Sequence, residues 1–229
     1  MTVRYRSFAR ALPALVAGWA LASFPAPLAA GDNQFGLTDG RGGFYSISNR
    51  FNGANDMIQV KRLSPNGGVL WEDYRNPPGV DLRAAAVASD PSGNVLIAAV
   101  RGTGNACILT LFRYRPDGTL DQEVSFDDGA RNLPSAVAAD RDGSIYVGGT
   151  VLRSGRSRAR LWRYDAGFGL LWNQEYGDYG NSYLIQLQTG VRNEAIVGVE
   201  VHQPNSDSSG QYARVSVTYE VNGSRSSVQ

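Results

Sequence analysis

The stretch Ala86–Val100, AVASDPSGNVLIAAV, and the stretch Ala136–Thr150, AVAADRDGSIYVGGT, are two copies of one pattern, and their reading decides the fold. Each runs from a small-residue segment through a polar turn with Asp and Gly into a second apolar segment. Stepping back 51 positions from Asp90 reaches Asp39; stepping forward 50 reaches Asp140 and then Gly190, where VRNEAIVGVEV is a worn copy. Self-similarity at about fifty residues marks a repeat architecture whose units bury their faces against one another.

Each unit resolves into four short β segments. In the second unit these are Ala84–Ser89, Val95–Val100, Ile108–Arg115 and Leu120–Phe126. Gly42, Gly93 and Gly143 mark the turn between the first two segments. Asn66-Gly67, Asp117-Gly118 and Asn222-Gly223 mark the turn between the last two, dipeptides that accept the positive φ of a tight hairpin; the third unit has Gly167-Phe168-Gly169 there. Four antiparallel segments recurring at this period predict an all-β protein, a β-propeller of four blade-like repeats near 34–83, 84–133, 134–183 and 184–229. The ring is expected either to close with four blades or to be an arc completed by a second chain, because an open arc should expose apolar faces and associate. Small side chains in AAAVAS and SAVAA suit crowded strands at an axis. Phe112, Tyr114, Trp162, Tyr164, Trp71 and Trp172 suit roomier outer positions, packed between blades.

The third unit, LWRYDAGFGLLWNQEYGDYGN from Leu161 to Asn181, together with AADRDGSIYVGGT, resembles the bacterial secreted β-propeller repeats known as SBBP or delta-60 repeats. The shared theme is Tyr-Asp before a turn, Leu-Trp after it, then an Asp-x-x-Gly strand pair. The resemblance implies architecture over nearly the whole mature chain and no catalytic residue. The first unit departs from it at Asp39-Gly40-Arg41-Gly42-Gly43, and the fourth departs further.

Residues 1–30 carry Arg4, Arg6 and Arg10, an apolar stretch from Ala11 to Ala22 broken by Pro13 and Gly18, and a small-residue end at Ala29-Ala30. They read as a signal peptide, with no spanning segment expected after its removal and a secreted or periplasmic destination. Without them 19 basic residues face 21 acidic ones, a net charge of −2, which offers nothing for nucleic acid. Cys107, the only cysteine, lies in the apolar run NACILTLF and reads as a buried small hydrophobe.

Antiparallel geometry puts the longer second-to-third and fourth-to-first connections on one face, where binding loops are expected. There Arg153, Arg156, Arg158 and Arg160 in SGRSRAR form a candidate positive patch for an anionic glycan or a protein partner. Trp172, Tyr176, Tyr179 and Tyr183 are candidates for stacking on sugar rings. Asp127-Asp128, and Asp140 with Asp142, lack the ordered spacing of a calcium loop, and no metal or cofactor site is expected. His202 is the only histidine, placed in the loop HQPNSDSSGQ without a G-x-S-x-G elbow, so no catalytic residue is assigned. The functional expectation is a non-enzymatic binding or assembly protein, a homodimer among its forms, using the long-loop face or an open blade edge. The alternative is a small carbohydrate-active hydrolase or lyase with channel carboxylates.

Overall fold

In the computed structural model residues 34–38, 42–104, 106–177, 180–202 and 212–228 are described; the signal peptide expected at residues 1–30 lies outside them. The chain folds into four antiparallel meanders of four strands each. Blade 1 is β1 (Gln34–Thr38), β2 (Phe44–Phe51), β3 (Asp56–Leu63) and β4 (Val69–Arg75). Blade 2 is β5 (Leu82–Ser89), β6 (Val95–Arg101), β7 (Ile108–Tyr114) and β8 (Leu120–Phe126). Blade 3 is β9 (Arg131–Ala139), β10 (Ile145–Arg153), β11 (Arg156–Tyr164) and β12 (Leu170–Tyr176). Blade 4 is β13 (Asn181–Thr189), β14 (Ala195–His202), β15 (Tyr212–Tyr219) and β16 (Arg225–Val228). The first strands of successive blades adjoin one another and line the axis. This is a four-bladed propeller architecture.

Those inner strands are bent at one repeating place. In blades 2, 3 and 4 the pairing of the first strand with the second slips past Ala85, Ser135 and Ile185, fifty residues apart each time. An extra residue re-aims the side chains after it. Ala84 thereby packs toward blade 1 while Ala86 packs toward blade 3, so one strand serves two cores.

Three large buried clusters form the interior, one per seam, and a small fourth of Ala85, Val100 and Cys107 lies beside Leu133 of blade 3. Ile47, Ile58 and Val60 meet Val95, Ile97 and Phe112 between blades 1 and 2. Leu96, Leu109 and Leu111 meet Val147, Trp162 and Phe168 between blades 2 and 3. Tyr146 and Leu161 meet Val197, Val217 and Tyr219 between blades 3 and 4. Among the described residues no buried cluster joins blade 4 to blade 1. The two terminal faces are instead polar. On blade 1, Gln34 donates to Ser46 (2.9 Å), Ser48 to Gln59 (3.1 Å) and Gln59 to the Tyr74 hydroxyl (2.8 Å), and Lys61 pairs with Glu72 (3.4 Å). On blade 4, Arg214 pairs with Glu200 (3.2 Å) and Ser227 donates to Thr218 (3.1 Å). The expectation that an open arc exposes apolar faces holds only at the turn end of blade 1, where Phe44 is exposed; elsewhere polar outer faces cap this array, as they do in other repeat proteins.

Each seam carries the same lock. The third and fourth strands of one blade send an arginine and a second donor to one turn of the next. Arg62 Nη1 and Trp71 Nε1 donate to the Pro116 carbonyl at 2.8 and 2.9 Å, and Arg163 Nη1 and Trp172 Nε1 donate to the Val221 carbonyl at 2.6 and 2.9 Å. Each indole then lies between a tyrosine of its own blade and one of the next: Tyr45 and Tyr114 for Trp71, Tyr146 and Tyr219 for Trp172, with centroids 6.0–6.2 Å apart. The turn must offer no side chain under the ring. A Cβ built on Gly118 would sit 2.9 Å from Trp71, and one on Gly223 would sit 3.0 Å from Trp172.

The middle seam solves the same problem from the other side. Blade 2 has Gln122 where its neighbours have tryptophan, and Gln122 Nε2 and Arg113 Nη1 donate to the Gly167 and Ala166 carbonyls at 3.2 and 2.5 Å. The turn position that is Gly118 or Gly223 elsewhere is Phe168, held at φ 66° and buried, with Arg113 5.1 Å over its ring. A bulky residue at positive φ is strained, and filling the volume left by the missing indole offsets that cost. Gln122→Trp alone and Phe168→Gly alone should each destabilise, the first by overpacking and the second by about 3 kcal/mol from the cavity. The double variant should recover part of the loss, giving a coupling of about 1 kcal/mol or more in urea unfolding; strict additivity would disprove the exchange.

Candidate functional site

On the long-loop face the arginine cluster separates into parts with different surroundings. Arg160 lies on β11 facing blade 2, its side chain only 4% exposed. Its guanidinium donates to Asp128 (2.6 Å), Asn132 (3.2 Å) and Glu175, and stands 5.5 and 5.9 Å over the Trp162 and Phe126 rings. Arg153 also pairs with Asp128, at 2.7 Å. Arg156 is exposed at the hairpin tip, next to Ser154 and Gly155 at positive φ, and Arg158 is half-buried. Two of the four predicted arginines thus meet on one carboxylate. Burial works to raise the Asp128 pKa, but hydrogen bonds from Asn132 and Arg160 and the Arg160 charge outweigh it and bring it down to about 2. A carboxylate held ionised in this way cannot donate a proton near neutrality, so the arrangement is an ion-paired clamp between blades 2 and 3.

The predicted aromatics do not converge. Trp172 and Tyr176 pack against the seam between blades 3 and 4, Tyr176 with Arg225 5.6 Å over its ring, and Tyr179 lies outside the described residues. Tyr183 is half-buried on β13 with its ring edge-on to His202 at 5.3 Å.

At the other end of the axis a cavity opens among the first turns of blades 2, 3 and 4, between Asp90, Asp140 and Gly190. Both acids serve their own turns. Asp90 Oδ1 accepts from the Ser92 and Asn94 N–H groups at 2.9 and 3.0 Å, and Asp140 Oδ1 from Asp142 and Ser144 at 3.0 and 2.8 Å. The inner strands β1, β5, β9 and β13 contain no Asp or Glu.

A mixed cluster of another kind lies on the free face of blade 4. Glu200 on β14 hydrogen-bonds His202 (2.9 Å) and pairs with Arg214 on β15 (3.2 Å), and Glu200 is the register partner of Tyr183. The bond to His202, ahead of the effect of Arg214, holds the Glu200 carboxyl below its ordinary range. Carboxylate, imidazole, guanidinium and phenol ring thus share one polar surface. Three of these residues were missed in the sequence because His202 was assigned to the following loop, whereas it ends β14. The available signal was the Glu-Val-His spacing, which puts Glu200 and His202 on one face of a strand. Among the described residues no group of three or more His, Cys, Asp or Glu is placed to hold a metal.

No family model matches this sequence, and no curated protein matches it. Among solved structures, the chain is similar to an endo-arabinase from Bacteroides thetaiotaomicron, with 13% identity over 80% of this chain and 72% of that one and a TM-score of 0.45. It is similar to a GH43 β-1,3-galactosidase with galactodeoxynojirimycin, with 10% identity over 83% and 72% and a TM-score of 0.46. It is also similar to an α-L-arabinanase from Cellvibrio cellulosa, with 13% identity over 86% and 76% and a TM-score of 0.41. At this level the likeness assigns no residue a role. The expectation of a non-enzymatic binding or assembly protein is nonetheless corrected. The positive patch, one of the surfaces offered for that reading, is partly neutralised, with Arg160 buried against Asp128 and Glu175.

Replacing Arg160 by Met removes the buried cation between Asp128 and Glu175, leaving Asp128 only the exposed Arg153, and should cost about 3 kcal/mol in urea unfolding. The pKa of Asp128 is depressed, so its contribution is present above the unfolded value of 3.8 and is lost as pH falls toward about 2. Asp128→Asn should accordingly flatten the acid limb of the stability profile in that window.

Proposed function

We propose that this chain is an exported enzyme acting on extracellular carbohydrate, as hydrolase or lyase, at the free face of blade 4. The observation that carries the reading is the meeting of Glu200, His202, Arg214 and the Tyr183 ring on one accessible polar surface. A sugar needs a flat apolar ring to lie against, polar groups for its hydroxyls, and an acid–base pair for bond cleavage. Tyr183 supplies the first. Glu200, kept ionised by its partners, is the general base, and His202, bonded to it, is the proton carrier. The signal-peptide reading of residues 1–30 supports a secreted or periplasmic destination, and among the described residues no helix is long and apolar enough to cross a membrane.

The test is product release by the protein from Gly31 onward on a panel of neutral and acidic polysaccharides that includes arabinan and galactan, read as new reducing ends. Glu200→Gln and His202→Ala should each lower turnover by about 10²–10⁴-fold with unfolding curves unchanged. Because the Glu200 pKa is lowered, the acid limb of the rate profile should fall below pH 4.5, the ordinary glutamate value. Absence of product on the whole panel, or full activity in Glu200→Gln, would sink the reading.

A further inference from the structure

Blade 1 ends in the same socket that the other three seams fill. Its turn Ser64–Gly68 has Ser64 N–H on the Gly68 carbonyl at 2.8 Å, Gly67 N–H on the Ser64 carbonyl at 2.9 Å, and Gly67 at φ 84°. The turn that receives Trp71 has Arg115 on Thr119 at 2.9 Å, Gly118 on Arg115 at 3.0 Å, and Gly118 at φ 94°. The difference lies above the glycine. A Cβ on Gly118 or Gly223 would run into an indole, whereas one on Gly67 would meet nothing within 4 Å.

A second observation singles out the same end of the blade. Phe44 opens β2 and is 39% exposed, while its counterparts Val95, Ile145 and Ala195 are 0, 1 and 0% exposed against the preceding blade. Leu63 is half-buried where Tyr114, Tyr164 and Tyr219 are buried. The remainder of this face is closed by the ladder of Ser46, Ser48, Gln59 and Lys61. The turn-side part keeps the apolar character of an interior seam, and it surrounds a socket that no described residue fills.

Blade 4 cannot fill it. Where blades 1 and 3 present Arg and Trp, blade 4 has Thr218 and Ser227, whose hydroxyls bond each other at 3.1 Å. We infer that the Pro65–Gly67 turn of blade 1, with Phe44 and Leu63, is the acceptor for a blade edge of a different polypeptide. That edge brings a guanidinium to the Pro65 carbonyl and an indole N–H beside it, over Gly67. The inference concerns assembly and is independent of the activity proposed above.

The probe is this chain refitted with the missing donors, Thr218→Arg with Ser227→Trp, compared with the parent by light scattering and thermal unfolding. The parent should be a monomer. The refitted chain should either double in mass by head-to-tail docking or keep its mass and melt higher by closing its own ring. In both cases a further Gly67→Asn change, which tolerates the left-handed turn but puts a side chain in the socket, should restore parental behaviour. If the double variant fails to fold, Ser227→Trp alone, close to the end of the edge strand β16, gives the same readout. A folded refitted chain with parental mass and melting, or one indifferent to Gly67→Asn, overturns the socket. A parent that already self-associates, and loses this with Gly67→Asn, overturns the assignment to a different polypeptide.

Discussion

A turn carbonyl at each seam is the constraint from which the rest of the arrangement follows. Where the third strand of a blade turns into the fourth, the carbonyl of the second residue after the strand accepts from the preceding blade. Left without a donor where the seam closes over it, such a group costs up to about 1–3 kcal/mol. The preceding blade supplies the donors, and their bulk dictates the neighbours. An indole requires a glycine opposite it at Gly118 and Gly223, and a guanidinium reaching past it lies over Tyr45 or Tyr146 at 5.8 or 5.3 Å. Hydrogen bonding thus sets the register of each blade on the next, and dispersion between rings then stabilises that register.

The same logic explains why the ends differ from the middle. A terminal face has no neighbouring turn to satisfy, so its side chains satisfy one another, as in the ladder on blade 1 and the Thr218–Ser227 pair on blade 4. A polar cap is also the setting in which an ionised Glu200 loses little solvation while holding His202 and Arg214 close. The long-loop side shows the opposite economy. There an arginine is driven into the seam and its charge is met by Asp128 and Glu175, which fastens blade 2 to blade 3.

Much of the fold could be read from residues. The fifty-residue step from Asp90 to Asp140 marked the turns, and Ala84, Ala86, Ala136 and Val137 marked crowded inner strands, which the structure buries. Trp71, Tyr114, Trp162 and Trp172 were read as packing between blades, and they pack there. The charged groups were far less legible. SGRSRAR looks like a solvated hairpin tip because the partners of Arg160 lie 32 and 15 positions away in sequence, a separation that no local pattern reports. His202 followed a similar course: the polar residues after it pulled it into a loop, although a two-residue period ties it to Glu200. The polar character of the end faces was visible one strand at a time, in Ser46-x-Ser48 and Glu200-x-His202, but which face looks outward depends on the seams.

Phe168 carries a consequence for the history of the array. The seams between blades 1 and 2 and between blades 3 and 4 share one convention, with the ring supplied from the strand side. The seam between blades 2 and 3 has the reverse convention, with the ring supplied from the turn. Blade 2 therefore receives by one convention, through Gly118, and donates by the other, through Gln122. A tandem duplicate of blade 2 would set Gln122 against Gly118 and leave the new seam with no ring at all, whereas a duplicate of blades 2 and 3 together would set Trp172 over Gly118 and keep every seam matched. The unit that can be copied or exchanged without penalty in this chain is two blades long, twice the period that the sequence displays.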